Sequence, residues 1–418
     1  READPNQLEK ITKAFVKSEG QSKPGPPRAV QPLGTENLIA LSSFIYPAKE
    51  YASKFYQWFM PGMDPLKSAT AITAFLKRVA KDKVRQSDFT KMDASISEFL
   101  GTIPNTILKG LFSRDPDDIK RLDEILANHR TQTIKFPLHK KLHKAEWKTL
   151  SGAGDTTYRN TIITCFHEYA SLRMAEHTAE QAWDLLGPKY GDDALNSVEL
   201  GEAALLLGTK IKDTSPDWNI GPTFCSRFYT DPDNCLDSIP DILKALRMIP
   251  TAFTLDSYVQ IRNRVNGYLA ANGTIVPILS EYLLMLKRIY GFSNLDTEDN
   301  WWSLYKADLH QKHGPHPLDP KSHSALTSVA AQLGISKRKV KDLRTELNKV
   351  KTIADFVAMM TKGKCAGFLP LKSGIREAVD DPAAKRVEFL SSSQPPLDPE
   401  VTKVKGLKEN KGVKKGPR

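Results

Sequence analysis

The chain has 418 residues and a mass of 46.7 kDa, enough for two or three domains that share extensive cores. Its net charge of +11 and pI near 9.2 favour a polyanionic partner, but charge alone does not separate an enzyme working on nucleic acid from a protein that coats it. Cys165, Cys225, Cys235 and Cys365 lack paired spacing, which points to a reducing compartment and not a disulfide framework; no signal peptide or run of membrane-spanning length is expected, and Arg1 in place of Met suggests a segment of a larger polyprotein or multidomain protein.

Near the N-terminus, Ala14-Phe-Val-Lys17-Ser-Glu19 is followed by Lys23-Pro-Gly-Pro-Pro-Arg28-Ala-Val-Gln-Pro32. Its composition suits either a proline-rich linker or a place where cations meet phosphate, Arg through its planar fork and Lys as a point charge. Residues 66–82 have the apolar spacing of an amphipathic helix. Residues 83–89 lead into Asp88, expected at a strand end, with Asp93 just beyond it and helix-like spacing from Met92 to Leu100. The insertion 98–148 closes in the basic run His139-Lys-Lys-Leu-His-Lys144, either a solvated face or a nucleic-acid contact.

Ser151-Gly152 opens a glycine-permissive loop, and Asn160 to Ala175 is an apolar run long enough for a helix. Gly191-Asp192 interrupts two short segments, as a tight hairpin would. Val198 to Leu207 reads as a helix of small and apolar residues. Lys210 and Lys212 follow it, as ordinary solvent-facing lysines or as donors to a leaving group. Pro222 to Tyr229 reads as a hairpin whose aromatics serve largely as core.

From about residue 237 to 370 the pattern is helical, as in Ser280 to Tyr290. Ser328 to Val340 has helix-turn-helix spacing, which two packed helices joined at Gly334 need equally. His310, His313 and His316 are spaced like metal ligands but sit in a Pro/Gly-rich loop without a Cys or carboxylate partner. The end of the chain, with seven Lys/Arg in its last sixteen residues, cannot bury a core and is expected to be a flexible basic tail from about 391.

Three strings in one order carry the chemistry: Asp88-Phe-Thr-Lys-Met-Asp93, Ser151-Gly152-Ala-Gly-Asp-Thr156-Thr-Tyr-Arg-Asn160 and Tyr190-Gly191-Asp192-Asp193. Phosphoryl transfer between nucleotides uses two divalent cations a few ångströms apart, commonly held by carboxylates from separate strands. Together the strings resemble motifs A, B and C of viral RNA-dependent RNA polymerases. The segment around Lys17, Lys23 and Arg28 is similar to motif F of the nodavirus and tombusvirus-like members from positive-strand RNA viruses. The likeness spans roughly residues 12–230, extends to motif E at 222–229 and is weak at motif D.

The resemblance implies an α+β right-hand fold, its palm an antiparallel sheet with two helices on one face. Residues 1–86 would be N-terminal fingers with motif F, 87–97 palm, 98–148 a fingers insertion, 149–236 palm with motifs B to E, 237–370 a helical thumb and 371–418 a C-terminal extension. It implies replication of viral RNA with Mg2+, or Mn2+ in its place, held by Asp88 and Asp192 with Asp193 as a weaker ligand. Lys212 would be the catalytic lysine of motif D. Asp93 and Asn160, supported by Thr156, would read the ribose 2′-hydroxyl, Ser151-Gly152 would flex as template advances, and Lys17, Lys23 and Arg28 would meet the triphosphate.

The implied partners are RNA template and product, nucleoside triphosphates, further copies of the chain and upstream replicase segments. The implied place is a membrane-associated complex in the host cytoplasm, on the mitochondrial outer membrane for a nodavirus-like enzyme. Two alternatives stay open. A reverse transcriptase shares Tyr-x-Asp-Asp but places a bulky side chain where Asp93 stands and lacks the Asn160 partner. A noncatalytic basic nucleic-acid-binding protein fits the charge, the tail and the helix-turn-helix spacing, and leaves the carboxylate motifs unexplained.

Overall fold

In the computed structural model, residues 11–17, 28–136, 141–250, 257–292 and 312–361 are described. The first half of the chain holds strands β1 (Ile11–Lys13), β2 (Phe15–Val16) and β3 (Ala29–Val30), helices α1 (Thr35–Phe55) and α2 (Pro65–Arg78), then β4 (Arg85–Phe89). Next come α3 (Met92–Ser95), α4 (Glu98–Leu111), α5 (Pro116–Thr131), β5 (Thr133–Phe136), β6 (Lys141–Lys144), α6 (Thr156–Met174) and α7 (Ala179–Asp184). The hairpin β7 (Lys189–Tyr190) and β8 (Asp193–Asn196) precedes α8 (Gly201–Leu206), β9 (Ile211–Thr214), β10 (Thr223–Phe224), β11 (Arg227–Tyr229) and β12 (Ser238–Pro240). Helices α9 (Ile242–Met248), α10 (Ser257–Asn272), α11 (Leu279–Tyr290), α12 (His323–Leu333), α13 (Lys337–Lys349) and α14 (Ile353–Thr361) follow.

The chain divides into two compact units, Arg1–Ile353 and Ala354–Arg418. The described part of the second is the helical segment ending at Thr361.

Its central sheet is antiparallel, in the order β7-β8-β4-β9. Because side chains alternate across a strand, β4 buries Ser87 and Phe89 on one face and leaves Asp88 exposed on the other. Phe89 packs with Met92, Ile96, Leu100 and Ile163, and Leu207 and Ile211 join from the α8–β9 corner. Helices α6 and α8 therefore share this face, the arrangement expected of a palm. On the opposite face Leu195 packs against Ala69, Ile72, Phe75 and Leu76 of α2. That helix is the amphipathic element read from the sequence, begun by Asp64, whose carboxylate accepts from Lys67 N at 2.8 Å, and by Pro65 in the first turn.

Three elements depart from expectation. The spacing from Met92 to Leu100 suggests one helix, but the chain breaks after Ser95 because the Ser97 hydroxyl caps a new one, accepting from Leu100 N. The helix expected from Val198 to Leu207 is only Gly201–Leu206, with Leu200 N bonded instead to the Asp213 carboxylate at 2.7 Å. The stretch from 237, expected to be helical, opens with β12, which pairs with β11 beside β10. The sequence also gave no sign that β1 would pair in parallel with β5, binding the N-terminal segment to the insertion.

The helix-turn-helix spacing is realised in α12 and α13, joined at Gly334 with φ +64 and restarted by a Ser336 cap. Val340, Leu343 and Leu347 of α13 are buried, so packing accounts for the spacing. His310 lies outside the described residues, and among the described residues no cluster of His, Cys, Asp or Glu side chains forms a ready-made metal cage.

Two imidazoles are buried and held neutral. Burial lowers His129 against the pull of Asp155, and burial lowers His167 although the Ile163 carbonyl bonds its ring. A base with a depressed folded pKa lets the unfolded chain take up the proton first, so stability is full above the ordinary value of 6.5 and declines as pH falls below it. The thermal midpoint is expected to fall from about pH 7.5 to about pH 5.5, and less steeply in His167→Gln. An equal slope in that variant would contradict neutral burial.

Candidate active site

The turn between β7 and β8 is built from Tyr190, Gly191, Asp192 and Asp193, with Tyr190 paired to Asp193. Gly191 has φ +63 and Asp192 does not follow it into the left-handed region, the pattern of a type II′ turn with glycine at its first central position. Helix α6 holds the turn from beneath: Gly191 N donates to Thr161 Oγ1 at 2.8 Å, and Thr164 Oγ1 donates to Gly191 O at 2.9 Å. Behind it lies a fully buried ion pair, Lys189 Nζ to Glu168 Oε2 at 2.6 Å. Lys189 also donates to the carbonyls of Gly187 and Leu195, while Glu168 accepts from Gly187 N, Ser197 N and Ser197 Oγ.

Register brings the carboxylates together. Asp88 pairs with Lys212 of β9, and since Ser87 pairs with Ala194, one step further along β4 sets Asp88 beside Asp193. All three side chains are exposed, Asp88 and Asp193 on the same face of the sheet as Leu195. Although Asp193 reaches solvent, crowding by protein and the charges of Asp192 and Asp88 push its carboxyl up to about 6, against the thiol of Cys225 and the ammonium of Lys244. Cys225 and Ser226 form the β10–β11 turn with φ of 48 and 59, a left-handed pair without glycine. Lys244 Nζ donates to Ser226 Oγ at 3.0 Å and Asp241 N to Ser226 O at 3.1 Å, tying that turn to the start of α9.

Asp93 and Asn160 meet in a hydrogen bond, Asn160 Nδ2 donating to Asp93 Oδ1 at 2.8 Å. Burial raises the Asp93 carboxyl, the Asn160 amide opposes the rise, Asp192 adds to it and Arg28 opposes it. Asp93, from the first string, thus senses residues of the other two strings and of the N-terminal segment. Thr156 does not touch this pair: its hydroxyl serves the carbonyls of Leu150 and Ala153, at 2.5 and 2.9 Å, so any support it gives runs through the loop.

Ser151 and Gly152 are strapped to the N-terminal strand segment. Gly152 N donates to Gln31 O at 3.0 Å, Ser151 Oγ accepts from Gln31 N at 3.2 Å and contacts Ala29 O. A Cβ on Gly152 would stand 3.0 Å from Pro32 Cα and Val30 Cγ1, so glycine is required here for close approach and not for a positive φ. Lys17 N donates to Arg28 O at 2.8 Å across the β2–β3 pair. Lys23 lies outside the described residues.

The donor set suits a hard divalent cation: carboxylate oxygens from a strand end and a turn, crowded enough that a dication would relieve their mutual repulsion. The chain is 27% identical over 374 residues to the RNA-directed RNA polymerase of Pariacoto virus, covering 84% of this chain and 36% of that protein. It is 28% identical over 258 residues to that of Striped jack nervous necrosis virus, covering 60% and 26%. It is a homologue of the nodavirus RNA-directed RNA polymerases. This homologue spans 36% or less of the length of those relatives. No family model matches it. A solved structure, an insertion-loop deletion mutant of the RNA-dependent RNA polymerase of a human picorbirnavirus, overlays with a TM-score of 0.47 at 12% identity, covering 77% of this chain and 60% of that one.

Sequence reading missed Thr161, Thr164, Cys225 and the Glu168–Lys189 pair. The one available signal was the density of polar residues in a helix long enough to be central: twelve residues of α6 are buried, among them Arg159, Asn160, Thr161, Thr164, His167 and Glu168. The raised Asp193 carboxyl has a measurable consequence. An acid with a pKa of about 6 is mostly protonated near pH 5 and mostly ionised near pH 7, so Mn2+ affinity of this homologue is expected to rise about tenfold across that interval. Titration followed by electron paramagnetic resonance measures it, and Asp193→Asn should flatten the dependence; an equally steep profile in that variant would exclude Asp193 as the source.

Proposed function

We propose that this chain catalyses template-directed RNA synthesis by nucleotidyl transfer, replicating a positive-strand viral RNA. The observation that carries the reading is the Asp93–Asn160 hydrogen bond within the electrostatic reach of Asp192, which sets a polar sugar-reading pair beside a carboxylate cluster. The same pair weighs against a reverse transcriptase, which must exclude the hydroxyl that such a pair would bind. The order and convergence of the carboxylate-bearing strings weigh against a noncatalytic binder.

In this reading the primer 3′-hydroxyl attacks the α-phosphorus of a ribonucleoside triphosphate and pyrophosphate departs. Bound divalent cations, Mg2+ with Mn2+ as substitute, would supply Lewis-acid activation and charge neutralisation. Asp88 and Asp192 would hold them and Asp193 would contribute a further oxygen. Asp93 and Asn160 position the ribose; a deoxyribose would leave their buried polar groups unpaired, which is costly. Arg28, Lys17 and Lys23 belong to the triphosphate side, and Ser151-Gly152 to the template. Lys212, the cross-strand neighbour of Asp88, balances charge at the carboxylates and is the candidate donor to pyrophosphate.

The net charge of +11 supports RNA template and product as partners. Further copies, upstream replicase segments and attachment to a host membrane rest on the resemblance alone. Among the described residues no helix is long and apolar enough to cross a membrane.

Nucleotide incorporation on an RNA template tests the reading. Asp88→Asn and Asp192→Asn are each expected to lower incorporation by about a thousandfold or more while RNA binding and folding persist, since a lost ligand removes several kcal/mol of transition-state stabilisation. Activity within about tenfold of wild type would defeat the assignment. Asn160→Ala should narrow the ratio of ribonucleotide to deoxyribonucleotide efficiency, and an unaltered ratio would remove the sugar-reading role.

A further inference from the structure

The catalytic turn is a two-residue loop on strands so short that β7 contributes only Lys189 and Tyr190, and its own pairing cannot define where Asp192 points. Gly191 is buried, so its N–H and C=O must both find partners within the protein. They find them on one turn of α6. Thr161 donates its own proton to Thr157 O at 2.6 Å, which leaves its oxygen to accept from Gly191 N. Thr164 donates to Gly191 O at 2.9 Å, in preference to Met92 Sδ at 3.8 Å. Both threonines have no exposed surface, and the residue before Thr161 is Asn160.

We propose that Thr161 and Thr164 are positioning residues that grip both polar groups of Gly191 and thereby fix the direction of the Asp192 carboxylate from the same helical turn that presents Asn160. The proposal rests on the polymerase reading for its kinetic consequences, and on geometry alone for its consequence in metal binding. The two hydroxyls lie at positions i and i+3, so they sit on one side of α6 and hold the two peptide units that flank the Gly191 Cα, Tyr190–Gly191 through its N–H and Gly191–Asp192 through its C=O. With both bonds made, rotation of either peptide flanking Gly191 would have to break a buried hydrogen bond. The helix then acts as a ruler, setting the distance between the ribose-reading amide and the turn that bears a metal ligand.

The test uses the full chain with Thr161→Val and Thr164→Val, nearly isosteric changes that remove the hydroxyls, and Thr161→Ser and Thr164→Ser, which keep them. Misplacing a reacting group by about 1 Å can cost on the order of a hundredfold. The Val variants are expected to lose about 30- to 100-fold in kcat with nucleotide KM within about twofold, while the ratio of ribonucleotide to deoxyribonucleotide use stays at the wild-type value. Mn2+ affinity, read by electron paramagnetic resonance, should weaken about tenfold, and the Ser variants should retain kcat and Mn2+ affinity within about threefold of wild type.

Val variants with wild-type kcat and Mn2+ affinity would overturn the proposal. So would Ser variants that fall as far as the Val pair, because the methyl and not the hydroxyl would then matter. If a Val variant does not fold, the matching Ser variant decides by the same two criteria. A wild-type chain that incorporates no nucleotide would defeat the polymerase reading, and the Mn2+ titrations would still decide the clamp.

Discussion

A polar side chain carried into the middle of a protein must be given a partner, and α6 carries a whole series of them. Asn160 meets Asp93, Thr161 and Thr164 meet Gly191, His167 meets Thr209 at 2.8 Å, and Glu168 meets Lys189. The partners lie in α3, in the turn after β7, in the loop before β9 and on β7, so satisfying the helix fixes the relative placement of the segments that bear the candidate chemistry. The Glu168–Lys189 pair is the most demanding. Breaking a buried ion pair by removing one member costs about 3–5 kcal/mol, because the remaining charge has nowhere to go. Here both ions have a full set of hydrogen bonds, three from Lys189 and four to Glu168, which is the condition under which burial of such a pair is tolerable.

The exposed strand ends of the central sheet obey the opposite rule. Asp88, Asp192 and Asp193 are gathered without a set of cations to match, and burial first, with that imbalance added, raises the Asp193 carboxyl to about 6. Lys212 and Lys244 soften it from two sides, Lys212 by register beside Asp88 and Lys244 from the start of α9. An interior tied together by the pairs of α6 and a charge-frustrated rim are complementary. The first prevents the carboxylates from moving apart, and the second makes their neutralisation by a cation favourable. The left-handed Cys225–Ser226 pair fits this division, since such backbone is costly unless the surroundings enforce it, and it stands against the most perturbed carboxylate of the cluster.

What was legible in the sequence follows from how local each signal is. Asp88 at a strand end, the Gly191-Asp192 turn, α2 and the body of α6 all arise from short-range periodicity or turn chemistry, and these were readable. The convergence of Asp93 with Asn160 was readable only through motif order and resemblance. Thr161 and Thr164 were silent because a threonine within a helix carries no mark of which distant backbone group it serves. The break at Ser97 was missed because apolar spacing continued across it while a single hydroxyl decided the outcome. The pairing of β1 with β5 joins segments more than a hundred residues apart, and three-residue strands leave almost no periodic trace.

Gly152 shows how a correct reading can have the wrong cause. A glycine at the entrance to α6 suggests conformational freedom, yet its backbone is held by Gln31 and its missing side chain makes room for Val30 and Pro32. The loop at 151–152 and the strand segment at 29–32 are therefore one mechanical piece. Arg28 lies at the start of that segment and reaches Asp93 electrostatically, while Thr156 anchors the other end of the loop to Leu150 and Ala153. Movement of Ser151 and Gly152 would have to break the bonds to Gln31 or carry the 29–32 segment along. A change at the loop would then be felt at Arg28, on the side where the triphosphate is proposed to bind, and a charge bound near Arg28 would be felt at the loop. Coupling of this kind needs no long pathway, because the two sites share a short hydrogen-bonded bridge between residues 29–32 and 151–152.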